Sequence, residues 1–354
     1  MTGAVGTCTR ATGHPAQEPA HEQAPPRVVL GVTQHRSPAT QVRRAVVTGG
    51  AGFVGSWLCE RLLDADVAVV CVDNLVTGSR DNVAGLAARP GFTLLEQDVS
   101  AGLEVDGPVD WVLHLACPAS PLDYLRLPIE TMLVGSEGTR HALELAERER
   151  ARFVLASTSE VYGDPAEHPQ TESYWGNVNP VGPRSVYDES KRFAEALTMA
   201  FRHERGVDTG IVRIFNTYGP RMRVDDGRAV PAFMSQALAG HPLTVAGDGS
   251  QTRSLCYVED TVSGIVAMAA GDHPGPVNIG SQDEMTMLHL AERVRELARS
   301  GSTIEFVDLP VDDPRVRRPD TTLAATVLGW APQVSVEEGL KRTLEWFAGQ
   351  VPAR

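Results

Sequence analysis

The sequence contains little cysteine and no long apolar run. Its 354 residues include five cysteines, which are scattered without a CxxC pair, so neither a disulfide framework nor a zinc site is expected. No apolar run approaches the roughly 20 residues of a membrane span. The first residues, MTGAVGTCTRATGHPAQEP, lack the apolar core of a secretory signal. These absences predict a cytoplasmic protein with no membrane partner and no metal.

An excess of positive charge is also missing. The formal net charge of −13 argues against nucleic acid as a general partner, although a local group of arginines can still bind a small anion. The composition, 42% hydrophobic and 22% charged, is ordinary for a soluble globular protein. The length allows one large domain or two moderate ones.

Residues 1–42 are rich in Ala, Pro, Gly, Gln and His and show no periodicity, which predicts a disordered tail. From residue 43 onward, short apolar strands alternate with helical stretches, and this alternation is typical of a parallel sheet covered on both faces. We therefore expect an α/β fold: a Rossmann-type, doubly wound domain over 43–215. A smaller, loop-rich C-terminal α/β domain over 216–350 should exchange some strands and helices with it. The predicted strands are 45–47, 67–72, 92–95, 110–115, 152–156 and 209–214, and the clearest helices are 137–150 and 187–205.

A glycine-rich turn follows the first predicted strand. Gly49, Gly52 and Gly55 form G-x-x-G-x-x-G between strand and helix, which allows the backbone and the helix N-terminus to approach a pyrophosphate. Asp73 ends the next strand, where a carboxylate would bind the adenosine ribose hydroxyls. The pattern predicts NAD as the cofactor, with Arg80 leaving NADP as the alternative.

Tyr187 and Lys191 are spaced i, i+4 in YDESK, which puts both on one helix face. A phenol is a weak base at neutral pH, but a neighbouring ammonium and an oxidised nicotinamide would lower its pKa. Tyr187 could then remove a hydroxyl proton while hydride leaves the same carbon, with Thr158 as a nearby hydrogen-bonding group.

At this point the chain resembles the extended short-chain dehydrogenases/reductases that act on nucleotide sugars, over about residues 44–348. Within that family the resemblance is greatest to the decarboxylases of UDP-glucuronic acid. The stretches that carry it are HLACPASP (114–121), ASTSEVYGDP (156–165), SYWGNVNPVGPRSVYDESKR (173–192), RIFNTYGPRM (213–222), DDGRAV (225–230), GDGSQTRS (247–254) and RRPD (317–320).

The resemblance implies a set of roles for individual residues. Catalysis would fall to Thr158, Ser159, Glu160, Tyr187 and Lys191. The second domain would bind the substrate, UDP-glucuronic acid, and Arg317 would face its carboxylate. The implied substrate-binding residues are Glu160, Asn216, Arg221, Arg253 and Arg317. The implied NAD-binding residues are Gly49, Gly52, Phe53, Val54, Gly55, Asp73, Asn74, Thr77, Gly78, Asp98, Val99, Leu115, Ala116, Tyr187, Lys191, Thr217 and Arg228; the last two could instead contact a dimer partner.

The pair Ser159-Glu160 distinguishes the decarboxylases that this chain resembles from the sugar dehydratases of the same family. The sugar dehydratases of the family have Asp then Glu there, and the Asp protonates a departing hydroxyl, which a serine cannot readily do. The resemblance therefore implies oxidation at carbon 4, loss of carbon dioxide and return of the hydride, giving UDP-xylose. The alternatives are another nucleotide-sugar epimerase or dehydratase, and a non-catalytic dinucleotide-binding regulator.

Two places depart from the decarboxylase pattern. Leu133, Val134 and Gly135 replace the usual Lys-Thr-Asn, and Ala246 replaces an aromatic residue, usually tyrosine. The lost groups would have contacted the sugar carboxylate, the cofactor or an ordered water. We therefore expect some UDP-4-keto-xylose to be released.

The resemblance also implies a homodimer that pairs the helices within 128–149 and 187–205 as a four-helix bundle. The apolar spacing on the second helix, at Phe193, Ala194, Leu197, Ala200 and Phe201, is equally compatible with packing inside one chain.

Overall fold

The computed structural model describes residues 42–351, so the predicted tail over 1–42 lies, except for its last residue, outside the described residues. The strands are β1 Arg44–Thr48, β2 Ala68–Asp73, β3 Phe92–Glu96, β4 Trp111–His114, β5 Arg152–Thr158, β6 Thr209–Ile214, β7 Thr217–Tyr218, β8 Leu243–Ala246, β9 Thr252–Ser254, β10 Cys256–Tyr257, β11 Val277–Ile279, β12 Glu284–Thr286 and β13 Ile304–Val307. The α-helices are α1 Phe53–Asp64, α2 Pro121–Arg126, α3 Pro128–Leu133, α4 Thr139–Glu149, α5 Ser185–Arg205, α6 Ala229–Ala239, α7 Val258–Ala270, α8 Met287–Leu297 and α9 Val336–Ala348.

The central sheet has seven strands in the order β11-β6-β5-β4-β1-β2-β3, and each neighbouring pair is parallel. Successive side chains of a strand point to opposite faces of the sheet, and both faces are apolar, so helices pack on both. Ala45 and Val47 belong to one apolar cluster, whereas Val46 between them belongs to the other. This architecture confirms the predicted Rossmann-type, doubly wound sheet.

The second half of the chain contributes to this sheet as well as forming smaller ones. Strand β11 pairs with β6, and α7 packs against α1. Three two-stranded sheets, β7 with β10, β8 with β13 and β9 with β12, lie outside the large one. A strand contributed from beyond residue 215 is the kind of exchange that the sequence predicts, although the domain boundary itself stays a prediction.

The sheet reverses its winding direction at β1, which pairs with β2 on one side and β4 on the other. In open parallel sheets, ligands bind beyond the carboxyl ends of the strands at such a switch point. The glycine turn follows β1, Asp73 ends β2 and Thr158 ends β5, so the fold places all three at this edge.

The ends of some elements differ from the prediction. Strand β5 continues to Thr158, two residues beyond the predicted end, because the whole stretch is buried. Helix α4 begins at Thr139, and a π-helical turn, Val134–Gly138, joins it to α3. Within residues 42–351, no helix combines the length and the apolar character needed to cross a membrane.

Candidate active site

One large cavity, of about 870 Å³, collects every residue for which the sequence predicts a catalytic, cofactor-binding or substrate-binding role. At one end lie the glycine turn and the carboxyl ends of β1 and β2. At the other end lie the loops of the second half, which contribute Arg253 and Arg317. Tyr187 and Lys191 line the cavity between these ends, so the fold brings together segments that are far apart in the chain.

The glycine turn is built so tightly that side chains are excluded. A β-carbon at Gly55 would lie 2.1 Å from the carbonyl oxygen of Gly49. Gly49 has a φ of +70°, and a β-carbon there would lie 2.8 Å from the Ala116 backbone. Gly52 is the N-cap of α1, so the unpaired N–H groups of the first helical turn face the cavity and can bind a pyrophosphate.

Asp73 fixes the second wall of this cofactor end. Its carboxylate accepts hydrogen bonds from the N–H groups of Ala51 and Leu75, both at 2.9 Å, and burial raises its pKa. Gly78 packs directly on it, since a β-carbon there would lie 2.7 Å from Asp73 Oδ1. Arg80 is the residue for which the sequence analysis kept NADP as an alternative cofactor. In the structure it pairs with Glu96 at the surface, where the Arg80 side chain is 62% exposed.

Tyr187 lies in the first turn of α5 and is 6% exposed. Its ring stacks on Tyr124, with the ring centroids 5.2 Å apart. Burial raises the pKa of Tyr187, and Lys191 Nζ donates to the carbonyl oxygen of Ala156 at 2.9 Å. A hydrogen bond with Thr158 opposes that rise, but desolvation dominates in the protein alone. The lowering predicted for Lys191 and oxidised nicotinamide together stays a prediction.

Thr158, Ser159 and Glu160 lie where β5 passes into a short 3-10 turn. The Thr158 hydroxyl accepts a hydrogen bond from the N–H of Glu160 at 3.2 Å, which fixes the turn. Thr158 and Ser159 are buried, and all three residues line the cavity.

The carboxylate of Glu160 is held by two arginines. Arg184 donates to its Oε2 and Arg317 to its Oε1. Burial favours the neutral acid, but the charges of Arg317 and Arg184 outweigh it, so the pKa of Glu160 is lowered to about 2. Glu160 is therefore ionised at neutral pH in the unliganded protein.

The same network continues to a second carboxylate. Asp313 lies 3.6 Å from Arg184 and accepts from Arg253 at 2.8 Å. Three arginines and two carboxylates thus share this end of the cavity, which leaves an excess of positive charge facing the space where a ligand would bind. We call these five residues (Glu160, Arg184, Arg253, Asp313 and Arg317) the ion network.

Several donors around the cavity have no partner among the described residues. The buried atoms without a hydrogen bond include Asn216 Nδ2, Arg221 Nη1, Arg317 Nε and the Tyr124 hydroxyl, and all four residues line the cavity. Buried polar groups are nearly always paired in folded proteins. These donors are therefore suited to a polar, anionic ligand.

Other predicted residues are already engaged with the protein. Arg221 pairs with Glu60 and lies over the ring of Trp57. The Arg228 guanidinium donates to Asp226 at 2.8 Å, and the Thr217 hydroxyl lies 2.9 Å from that of Thr261. Asp98 accepts from Asn74 at 3.2 Å.

The chain matches the NAD dependent epimerase/dehydratase family over residues 45–280. It is 49% identical over 325 residues to UDP-glucuronic acid decarboxylase 1 of Arabidopsis thaliana, an alignment that covers 92% of this chain and 73% of that protein. It is 47% identical over 309 residues to UDP-glucuronic acid decarboxylase 1 of Danio rerio, covering 87% and 73%.

The chain belongs to the NAD dependent epimerase/dehydratase family. Among solved structures, its fold is similar to UDP-glucuronic acid 4-epimerase from Bacillus cereus in complex with UDP-glucuronic acid and NAD, with a TM-score of 0.78, 27% identity, and coverage of 87% of this chain and 99% of that one. NAD is the cofactor of this family, and the glycine turn, the unpaired helix N-terminus and Asp73 fit it.

Three residues of the site were missed by the sequence reasoning. Arg184 lies in the stretch SYWGNVNPVGPRSVYDESKR, three residues before Tyr187. That spacing puts both residues on one face of a helix, so the sequence could have predicted Arg184 at the site. Tyr124 lies just beyond another quoted stretch, HLACPASP. Asp313 lies in a loop, and nothing in its sequence context indicates that it joins Arg184 to Arg253.

The departures from the family's decarboxylase pattern also lie at the site. Leu133, Val134 and Ala246 line the cavity. Gly135 packs against α5, where a β-carbon would lie 2.6 Å from that of Ser190. Three of these positions therefore face the cavity, whereas the fourth, Gly135, lies in a close contact between helices.

Proposed function

We propose that this chain converts UDP-glucuronic acid to UDP-xylose and carbon dioxide with NAD as a recycled cofactor. The observation that carries the proposal is the ion network beside Ser159: two arginines converge on Glu160 at the site where Tyr187 and Thr158 also meet. Relatives named UDP-glucuronic acid decarboxylase are 49% and 47% identical to this chain, and the excess positive charge suits a sugar carboxylate and a diphosphate.

When bound, NAD supplies an acceptor and later a donor of hydride at carbon 4 of the glucuronate ring. Tyr187 takes the proton of the carbon-4 hydroxyl, and Thr158 hydrogen-bonds that oxygen. Lys191 holds the β5 backbone through Ala156 and adds positive charge near the phenol. The two aromatic rings of Tyr124 and Tyr187 exclude water from this face.

Oxidation makes the substrate carboxylate beta to a ketone, so its bond to carbon 5 can break with the electron pair passing into an enolate. Thr158 and Tyr187 are placed to stabilise the oxygen on which that charge develops. Arg317, with its unpaired buried Nε, binds the carboxylate before it leaves. Glu160 assists protonation of carbon 5, with Ser159 placed beside it. Asn216, Arg221 and Arg253 hold the UDP.

A second candidate is epimerisation of the same substrate at carbon 4. It is favoured by the likeness to the Bacillus cereus 4-epimerase, which binds UDP-glucuronic acid and NAD. The two reactions share their first step, and they differ in whether the carboxylate is lost. Conversion to a UDP-hexuronate epimer without release of carbon dioxide would favour the second candidate.

The deciding experiment is incubation of the purified protein with UDP-glucuronic acid and NAD, followed by mass analysis of nucleotide sugars and measurement of carbon dioxide. We expect UDP-xylose, together with some UDP-4-keto-xylose, because Leu133 and Ala246 lack the polar and aromatic groups that would contact the sugar carboxylate, the cofactor or an ordered water. UDP-xylose alone would contradict the ketone release. Tight NAD binding with no turnover of any nucleotide sugar would instead indicate a regulator.

We also propose a homodimer through the helices around α3, α4 and α5. Several apolar side chains on α3 and α5 are unusually exposed, namely Ile129 (66%), Met132 (40%), Leu133 (44%) and Phe193 (50%). Burying such side chains between two copies would be favourable. Light scattering should give the dimer mass for the wild type, and Phe193→Glu should shift it toward the monomer. A monomeric wild type would overturn the proposal.

A reducing compartment such as the cytoplasm fits the thiols. Cys59, Cys71, Cys117 and Cys256 are free among the described residues, and three of them are buried. Fractionation of cells that express the tagged full chain would test this assignment, and recovery outside the cytoplasm would overturn it.

A further inference from the structure

A second, smaller cavity of about 240 Å³ lies next to the ion network. Its polar lining is unusually acidic and includes Asp164, Asn179, Arg184, Asp188, Asp312 and Asp313. Arg184 and Asp313 line both this cavity and the large one. Their ion pair is therefore part of the wall between the two, with Glu160 held by Arg184 on the active-site side.

Asp188 is the buried carboxylate of this smaller cavity. It follows Tyr187 directly and lies one helical turn after Arg184 on α5, and it is 5% exposed. Within residues 42–351 its Oδ1 has no hydrogen-bond partner. A buried, unpaired carboxyl oxygen opposes folding, so its presence beside the catalytic tyrosine calls for a functional explanation.

The charges that face Asp188 come from several elements. Burial, and next the negative charge of Glu160, raise its pKa to about 7, against the opposing charges of Arg184 and Arg317. The other ionisable groups near it are Glu189 and Tyr124, together with the carboxylates of the cavity, Asp164, Asp312 and Asp313. Within residues 42–351 no three His, Cys, Asp or Glu side chains are placed to hold a metal ion.

The proposed reaction needs a proton at this side of the active site. When the bond between carbon 5 and the carboxylate breaks, its electron pair forms the enolate, and a new C–H bond at carbon 5 then requires one proton. The proton taken by Tyr187 from the carbon-4 hydroxyl returns to that oxygen when the ketone is reduced. Each turnover therefore consumes one further proton, which must come from solvent.

We propose that Asp188 and the smaller cavity deliver this proton from solvent to Glu160, which passes it to carbon 5. This inference rests on the proposed decarboxylation. A polar cavity of this size holds several water molecules, and these would connect Asp188 to the solvent and to the Glu160 side of the wall. Binding of the substrate carboxylate by Arg317 removes one of the two cations from Glu160, which raises its proton affinity at the moment when it must accept a proton.

The test compares Asp188→Asn with Glu189→Gln, which removes one negative charge from the next residue of the same helix, outside the smaller cavity. In single turnovers with excess enzyme, carbon dioxide and UDP-xylose are measured separately after an acid quench. For Asp188→Asn we expect carbon dioxide at nearly the wild-type rate, UDP-xylose slower by about 100-fold, the scale of a lost proton transfer, and the difference recovered as UDP-4-keto-xylose. Glu189→Gln should match the wild type.

Equal slowing of carbon dioxide and UDP-xylose, or no slowing of either, would overturn the proton-delivery role. If Asp188→Asn does not fold, the pH dependence of the wild-type rates still tests the proton-delivery role. The wild-type rate of UDP-xylose formation should fall above about pH 7, where Asp188 loses its proton, while carbon dioxide release does not, and a parallel pH dependence would contradict the proposal. A wild type that releases no carbon dioxide refutes the proposed function itself, whereas the Asp188 results refute only the proton route.

Discussion

The two ends of the large cavity are built by different means. The cofactor end is made of backbone: the glycine turn and the first N–H groups of α1 lie within one short stretch of chain, and Asp73 braces them. The sugar end is made of side-chain charges that come from four separate segments, at Glu160, at Arg184, at Arg253, and at Asp313 and Arg317 in one loop. A site of the first kind is recognised by spacing in the sequence, whereas a site of the second kind exists only once the chain is folded.

The two ends should also respond differently to substitution. The glycine turn of the cofactor end should not accommodate the gain of a β-carbon. The ion network should be sensitive to the loss of a side chain, since removal of one charge leaves its partner buried and unpaired. Tyr187 lies where the two ends meet, and a change there tests both.

The largest effect is expected for Tyr187→Phe. It removes the group that exchanges a proton with the carbon-4 oxygen, so carbon dioxide release from UDP-glucuronic acid should fall by about 1,000-fold. Tyr174→Phe is the matched control, because within residues 42–351 its hydroxyl makes a single hydrogen bond, accepted from the N–H of Ala166, and Tyr174 does not line the cavity. Undiminished gas release from Tyr187→Phe would refute the oxidation step for which both ends are arranged.

The next effect concerns the sugar end. Arg184→Gln leaves Glu160 with one arginine and Asp313 with one partner fewer, so the free energy of unfolding should fall by about 3 kcal/mol. Arg80→Gln, which breaks the exposed pair with Glu96, should cause no measurable change. Urea unfolding of both variants checks this, and equal effects would show that burial of the network does not matter.

At the cofactor end, Gly55→Ala should weaken NAD binding by about 10- to 100-fold, because the new methyl group pushes the turn away from Gly49. Gly85→Ala is the control, since its β-carbon would meet nothing within 4 Å. Calorimetric titration with NAD measures both. Normal affinity in Gly55→Ala would mean that the turn can relax and that its close packing is not required.

The smallest effect is a pH dependence of stability. The pKa of Asp188 is raised in the folded protein to about 7, from about 4 in the unfolded chain. The cost of ionising Asp188 in the folded protein therefore grows as the pH rises between these two values. Above about pH 7 the whole cost opposes folding. Asp188→Asn removes this penalty, so its melting temperature should exceed that of the wild type by about 2 °C or more at pH 8 and by less at pH 5.

Glu189→Gln, one residue further along α5, should show no such trend, since Glu189 is half-exposed. A gap between Asp188→Asn and the wild type that is constant with pH would indicate that Asp188 does not titrate in the folded protein.

The sequence was sufficient for the sheet, the glycine turn and the Tyr187–Lys191 pair, because each depends on local spacing and apolar pattern. It was insufficient where the physics depends on distant segments. Asp313 meets Arg184 only through folding, and the pKa of Tyr187 depends on burial, which residue spacing does not reveal. The roles that the family resemblance assigns to individual residues of the cavity stay predictions.

The contact between Gly135 and Ser190 has a consequence for substitution at either position. An asparagine at 135 would place its β-carbon 2.6 Å from that of Ser190 and 2.9 Å from the Ser190 carbonyl oxygen, so it would clash unless position 190 became smaller and α5 moved slightly. A side chain at 135 should therefore need a compensating change at 190, and we expect the two positions to be epistatic in mutagenesis.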